Sequence, residues 1–239
     1  AGEEGLGNLK GVRKICEDYG GRIKSFCTFD SSLSSIVDRA VGSKRFRVKV
    51  RTRGGHSYND FGNDNAIAGL ASLVGKLYKI QVPEGGKTTY NVGMISGGTS
   101  VNTIAQEAEM LYEFRSDKRE NLEYMERQFM EVLDRAKAEG MDVSFQVIGV
   151  RPCEGQVDPA QKQALTDWAH RVVEEMTGQA PKHHAGSTDC NIPLSLGIPS
   201  VCVGSFRGAG AHTREEYVET DSLEEGYKVA FGMIFGSRD

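Results

Sequence analysis

The chain has 239 residues, 38% of them hydrophobic and 26% charged, with 29 glycines and a formal net charge of −4. That composition describes a folded globular protein rich in tight turns and excludes a disordered or fibrous one. The interspersed charges give no electrostatic reason to expect nucleic acid or an anionic membrane as partner, and no apolar run approaches the length of a membrane span. Five scattered cysteines, 16, 27, 153, 190 and 202, never form a Cys-x-x-Cys pair. They fit buried free thiols, and with no visible signal peptide the expected location is the cytoplasm.

Residues 6–19 place Leu9, Val12, Ile15, Cys16 and Tyr19 at helical spacing and stop at Gly20-Gly21. The pair Glu3-Glu4 therefore sits at a helix N-terminus. Residues 23–29 are rich in β formers and read as a strand that ends on Asp30, which puts a carboxylate at the strand edge where open α/β sheets bind ligands. Asp38 falls within a helical pattern and reads as a surface residue. From Phe46 to Thr52 apolar and basic residues alternate as in a half-exposed strand, followed by the turn Arg53-Gly54-Gly55-His56-Ser57.

A helix over 64–80 follows, with Asn63 or Asp64 as N-cap. Strands at 89–95 and 108–115 flank a loop running from Gly97 to Ile104. A second helix spans 119–139 and a strand spans 141–150. The order β-α-β-β-α-β is that of the ferredoxin-like split βαβ sandwich, here inserted into another domain, and an unpaired sheet edge in it invites a second copy of the chain. After Pro152, a helix over 160–176, a strand over 199–204, a turn carrying His212 and a last helix over 222–235 resume the first α/β pattern. The expected divisions are 1–43 and 152–239 for an α/β domain and 44–151 for the insert.

Residues at element tips carry the candidate chemistry: Glu3, Glu4, Asp30, Asp189 and His212, with His56 and Asn102 from the insert. Imidazole and carboxylate are ligands for a zinc-type cation, and a further carboxylate can take a proton from a bound water. Each residue also has a plain structural reading. Glu3 and Glu4 can complement a helix N-terminus, Asp189 can cap a turn, His56 can be turn chemistry and His212 a hydrogen-bonded structural histidine. His183-His184 reads as a partly exposed pair on a loop.

Five ordered motifs go further. Gly2-Glu3-Glu4-Gly5-Leu6-Gly7, Gly54-Gly55-His56-Ser57 with Asn65-Ala66-Ile67, Gly97-Gly98-Thr99-Ser100-Val101-Asn102, Ser187-Thr188-Asp189, and Gly210-Ala211-His212-Thr213 with Glu216 resemble the cocatalytic zinc metallopeptidases. This is the family of carboxypeptidase G, peptidase T, aminoacylase and the acetylornithine and succinyl-diaminopimelate deacylases. The resemblance implies a zinc-exopeptidase-like α/β catalytic domain interrupted by a ferredoxin-like α+β lid through which subunits form a homodimer. It implies two zinc ions per subunit, with cobalt or manganese as alternatives, and a short peptide or N-acyl amino acid as substrate.

By position, Glu3 resembles the general base, Glu4 and His212 resemble ligands of one zinc, and Asp30 resembles a ligand of the other. His56 resembles the lid histidine that steadies a tetrahedral oxyanion in a neighbouring subunit's site. Asn102, Arg115 and Gly210 in the 207–210 loop resemble substrate contacts. The family's upstream His-x-Asp motif and bridging aspartate do not occur in the sequence, and Ser31 stands where the family commonly has glycine. The expectation is that an upstream segment has been removed and that the 239 residues alone are inactive. The alternative is a non-catalytic dimerisation or binding module of the same fold.

Overall fold

A computed structural model describes residues 8–211 and 213–236. The chain divides into two compact units, Ala1–Val41 with Arg151–Asp239, and Gly42–Val150.

Helix α1 (Lys10–Tyr19) begins later than spacing predicts because Asn8 and Leu9 both hold positive φ, at 53° and 64°, which an α-helix cannot include. It buries Val12 and Cys16 beside Leu9 and Ile192. A 3-10 turn at Gly20–Arg22 leads to strand β1 (Phe26–Phe29). Strand β2 (Ser35–Ala40) follows where the sequence suggested a helix, so Asp38 stands on a strand and is mostly buried. A stretch this short does not separate the two periods, and pairing on both sides decides for the strand.

The second unit begins with β3 (Gly42–Arg51), β4 (Gly55–His56) and α2 (Ala66–Leu77). The N-cap of α2 is Asn65, whose side chain accepts from the Ile67 and Ala68 amides at 2.9 and 3.4 Å, and not Asn63 or Asp64. Asn63 instead donates to the Gly54 carbonyl at 2.8 Å. Strands β5 (Thr88–Gly97), β6 (Thr103–Ile104) and β7 (Glu107–Ser116), helix α3 (Arg119–Ala138) and strand β8 (Asp142–Arg151) complete the unit.

Its sheet order is β5-β7-β3-β8, with β7 antiparallel to both β3 and β5. The strands joined through α2 thus have β7 inserted between them, which is the split βαβ arrangement. Alternation sends Phe46, Val48 and Val50 of β3 and Met110, Tyr112 and Phe114 of β7 into one core with Leu70, Leu73, Leu77, Met125, Phe129 and Leu133 of the helices. Phe129 lies 4.3 Å from Phe46 and stacks on Tyr112 at 5.4 Å between centroids. Each such buried side chain contributes roughly 1.5–3 kcal/mol.

The chain then returns to the first unit with α4 (Pro159–Thr177), β9 (Lys182–Gly186), α5 (Asn191–Ser195), β10 (Ser200–Val203), β11 (Arg207–Ala209), β12 (Tyr217–Glu219) and α6 (Ser222–Phe235). Asp158 caps α4 by accepting from Gln161, with Pro159 at its first turn and Gly178 left-handed at its end. The sheet runs β1-β10-β2-β9, and Trp168, Val172, Val229 and Met233 pack onto it beside Ile36, Val201 and Val203. β1 and β10 are parallel, β2 opposes β10, and β9 follows β2. The C-terminal ends of β1 and β10 therefore share one sheet edge, and β9 ends on the opposite edge.

Candidate active site

On the shared edge, Asp30 directly follows β1, its amide donating to the Val203 carbonyl at 3.0 Å. Its carboxylate accepts from the Ser31 amide at 2.7 Å. Ser31 has φ 81°, a left-handed conformation that favours glycine. Residues 204–206 run alongside 31–35, with Ser205 donating to the Ser31 carbonyl and Leu33 to that of Phe206. The β11–β12 hairpin continues from this segment.

The turn of that hairpin holds Gly210, at φ 73°, whose carbonyl accepts from the Thr213 amide at 2.9 Å and the Thr213 hydroxyl at 2.7 Å. A side chain there would come 2.9 Å from the Glu215 carbonyl oxygen. The segment that leads into this hairpin thus starts at the edge that carries Asp30. His212 itself, like Glu3 and Glu4, lies outside the described residues. Arg207, beside the turn, is already held by Glu225 through two bonds of 2.7 and 3.1 Å.

Ser187-Thr188-Asp189 follows β9 and lies on the other edge, where it forms a clasp. Asn191 is fully buried; its oxygen accepts from the Thr188 amide at 2.8 Å, and its amide donates to the carbonyls of Val41 and Pro152 at 2.8 and 2.9 Å. Arg151 donates to Ser187 at 3.1 Å. His183, read from sequence as a loop residue, is on β9, donates or accepts at His170 over 2.9 Å, and meets Asp38 at 2.8 Å. The two rings are nearly parallel with centroids 5.2 Å apart, so nitrogens only 2.9 Å from each other must meet edge to edge rather than face to face.

In the second unit, His56 and Asn102 lie on or beside a small ladder in which Gly55 pairs with Ile104 and His56 with Thr103. Ser57 donates to the Asn102 carbonyl at 2.9 Å. His56 and Asn102 therefore belong to consecutive rungs, from which side chains alternate between faces. The His56 ring is exposed, and its Nδ1 accepts from the amides of Tyr58 and Asn59 at 3.2 and 3.4 Å. Ser100 donates to Asn102 Oδ1 at 2.7 Å, which leaves the Asn102 amide hydrogens as outward donors.

Arg115 is elsewhere. It pairs across from Ser43 at one end of β3, whereas His56 follows the other end, roughly 25 Å away at about 3.3 Å per residue. There it grips Glu113 at 2.9 and 3.1 Å, within a row of surface ion pairs that includes Arg45–Glu113 and Lys49–Glu107.

Among the described residues, no three His, Cys, Asp or Glu side chains stand together as a metal-ion site. Asp30 is the single described member of the expected ligand set. No helix among the described residues is long and apolar enough to cross a membrane.

Residues 40–141 match the M20 peptidase dimerisation domain. The match assigns those residues, less than half of the chain, to this domain of M20 peptidases. Over 191 residues it is 34% identical to a Haemophilus influenzae homolog of one subunit of p-aminobenzoyl-glutamate hydrolase, covering 71% of this chain and 42% of that protein. The aminopeptidase PepT of Bacillus cereus superposes with a TM-score of 0.73 at 23% identity, over 98% of this chain and 62% of that one. A tripeptidase of Staphylococcus aureus gives 0.71 at 20% identity, over 95% and 60%. The two structural likenesses carry the fold, a partial exopeptidase-like α/β architecture with the ferredoxin-like unit inserted. The chain thus spans less than two thirds of each of these relatives.

Two features of the site escaped the sequence. Asp60 bonds both backbone groups of His56, and its only signal is an aspartate four residues beyond a Gly-Gly-His turn. Asn191 gave none, because an Asn two residues after Thr188-Asp189 is ordinary turn composition.

Proposed function

We propose that the protein is a metal-dependent hydrolase of the amide bond in a short peptide or N-acyl amino acid. The observation that carries this reading is His56: a lid-loop histidine whose Nδ1 is occupied by backbone amides, and whose Nε2 is therefore a hydrogen-bond donor facing outward. The match of residues 40–141 to a peptidase dimerisation domain and 34% identity to a homolog of a p-aminobenzoyl-glutamate hydrolase subunit support the reaction class.

In this proposal Glu4 and His212 hold one zinc and Asp30 the other. Zinc, or cobalt or manganese in its place, supplies Lewis-acid polarisation of the amide and a water of lowered pKa when bound. Glu3 takes the proton of the attacking water and delivers it to the leaving amine. His56 donates from Nε2 to the carbonyl oxygen as negative charge develops there. Asn102 and Gly210 contact substrate. Arg115 would do so only by exchanging Glu113 for a substrate carboxylate.

The protein is proposed to be a cytoplasmic homodimer that pairs through residues 42–150, where the edge strand β5 leaves Met94 and Ile95 exposed. The self-contained core of that unit and its match to a dimerisation domain favour a second reading, in which the 239 residues taken alone serve as a non-catalytic dimerisation module.

Turnover of a panel of dipeptides, tripeptides and N-acyl amino acids separates the two. With zinc bound, Glu3→Ala is expected to lower kcat by about 10² to 10⁴-fold, the usual range for a lost general base. Normal turnover in that variant would remove Glu3 from the mechanism, and no turnover of any panel member by the wild type would favour the module.

A further inference from the structure

We propose that Asp60 is a positioning residue that fixes His56 as its Nε2–H tautomer. The proposal deepens the reading of His56 as an oxyanion donor and rests on it for its functional meaning, but the tautomer is a structural statement that stands on its own geometry.

β4 is only two residues long, and pairing with β6 does little to hold His56. Ser57 donates to Asn102 across the ladder, so by antiparallel alternation His56 occupies the rung without cross-strand hydrogen bonds. Its backbone groups turn instead to Asp60. The His56 amide donates to Asp60 Oδ2 at 2.7 Å, and the Asp60 amide donates back to the His56 carbonyl at 2.9 Å. One residue thus satisfies both main-chain groups of the histidine.

Gly55 makes the approach possible. It sits at φ 143°, and a side chain on it would fall 2.6 Å from Asp60 Cβ. The Asn63 amide bonds the Asp60 carbonyl at 3.1 Å, while the Asn63 side chain bonds the Gly54 carbonyl at 2.8 Å, which ties the far side of the turn to the start of β4.

The turn that Asp60 closes contains Tyr58 and Asn59, whose amides both point at His56 Nδ1. An N–H only donates, so Nδ1 presents its lone pair, and the hydrogen of the neutral ring resides on Nε2. No hydrogen bond to Nε2 occurs among the described residues, and the side chain is exposed. The order of causation runs from Asp60 to the turn, from the turn to the two amides, and from the amides to the proton on Nε2. Without that tautomer the outward nitrogen would be an acceptor and would repel a developing oxyanion.

The test is a long-range 1H–15N spectrum of the histidine-labelled protein at about pH 8, above the ordinary histidine range, with kcat and KM measured beside it. Wild-type His56 is expected as a single Nε2–H tautomer. Asp60→Ala is expected to give a mixture of tautomers and about a tenfold or greater fall in kcat with KM little changed, the pattern of a lost transition-state interaction. Asp60→Asn keeps an oxygen that can accept from the His56 amide and is expected to retain both the tautomer and kcat.

A wild-type proton on Nδ1 would overturn the proposal without any variant. So would an unchanged spectrum and kcat in Asp60→Ala or, if that protein fails to fold, loss of the tautomer in a folded Asp60→Asn. The two readings part cleanly: if Asp60→Ala scrambles the tautomer while His56→Ala leaves kcat intact, the positioning stands and the oxyanion role falls. If His56→Ala abolishes turnover while Asp60→Ala keeps the tautomer, the reverse holds.

Discussion

The two units solve the problem of buried polar groups in opposite ways. In residues 42–150 the core is apolar and aromatic, and the one hydroxyl that enters it from β7, Tyr112, is 1% exposed and has no hydrogen-bond partner among the described residues. In the other unit a buried amide, Asn191, makes bonds with both polar atoms of its side chain and ties together Val41, Pro152 and Thr188. At Tyr112 packing tolerates a polar defect, and at Asn191 a polar residue serves as a fastening. The same contrast appears at the candidate site. The His56 loop is specified by hydrogen bonds within its own turn, whereas Asp30 is held at a strand end by the pairing of β1 with β10.

The largest expected effect that sharpens this contrast is at Asn191. Asn191→Ala leaves two carbonyls and an amide without their partner and should destabilise the protein by about 1–3 kcal/mol for each group left buried and unsatisfied. Urea denaturation reads this directly, and a change within experimental error would show that the clasp is solvated and no fastening. Tyr112→Phe should do the reverse. It removes a hydroxyl whose burial pushes the phenol pKa upward, an effect that Tyr90 and Tyr78 reinforce, and leaves the stacking on Phe129 intact. Stability should be unchanged or rise by up to about 1 kcal/mol; a clear loss in a melting experiment would mean that the hydroxyl has a partner.

The smallest effect concerns pH. Burial pushes the Glu113 carboxyl up, but Arg115 and Arg45 outweigh it and hold it below the ordinary carboxylate range. A depressed folded-state pKa contributes stability that is present above the unfolded value and is lost as the pH falls through the folded one. Glu113→Gln should therefore narrow the stability difference between neutral and acidic solution, by a small amount because the pairs are partly exposed. Denaturation midpoints across the acid range measure it, and an unaltered pH dependence would show that the row of ion pairs on this sheet face is inert.

Much of the inserted unit was legible because its elements are long and strongly periodic. The 20-residue α3 and the ten-residue strands β5 and β7 each exceed the length at which helix and strand patterns are confused. What escaped was short or decided by tertiary pairing. Asp38 and His183 sit on strands of six and five residues that become strands by pairing with each other, and Asn65 prevails over its neighbours as a cap through backbone geometry that composition does not encode. The candidate residues can be named from the sequence, but their arrangement cannot. His56 and Asn102 lie on one short ladder, while Arg115 is removed from them by most of the length of a strand, because sequence order places residues in elements without saying which end of the sheet each reaches.

The measurement that bears most directly on the account is the steady-state kinetics of His56→Ala with zinc bound, on whichever short peptide or N-acyl amino acid the wild type turns over. An oxyanion donor acts in the transition state and not in the ground state. The account predicts a fall in kcat of about 10² to 10³-fold with KM nearly constant. An unchanged kcat, or a loss confined to KM, would contradict it.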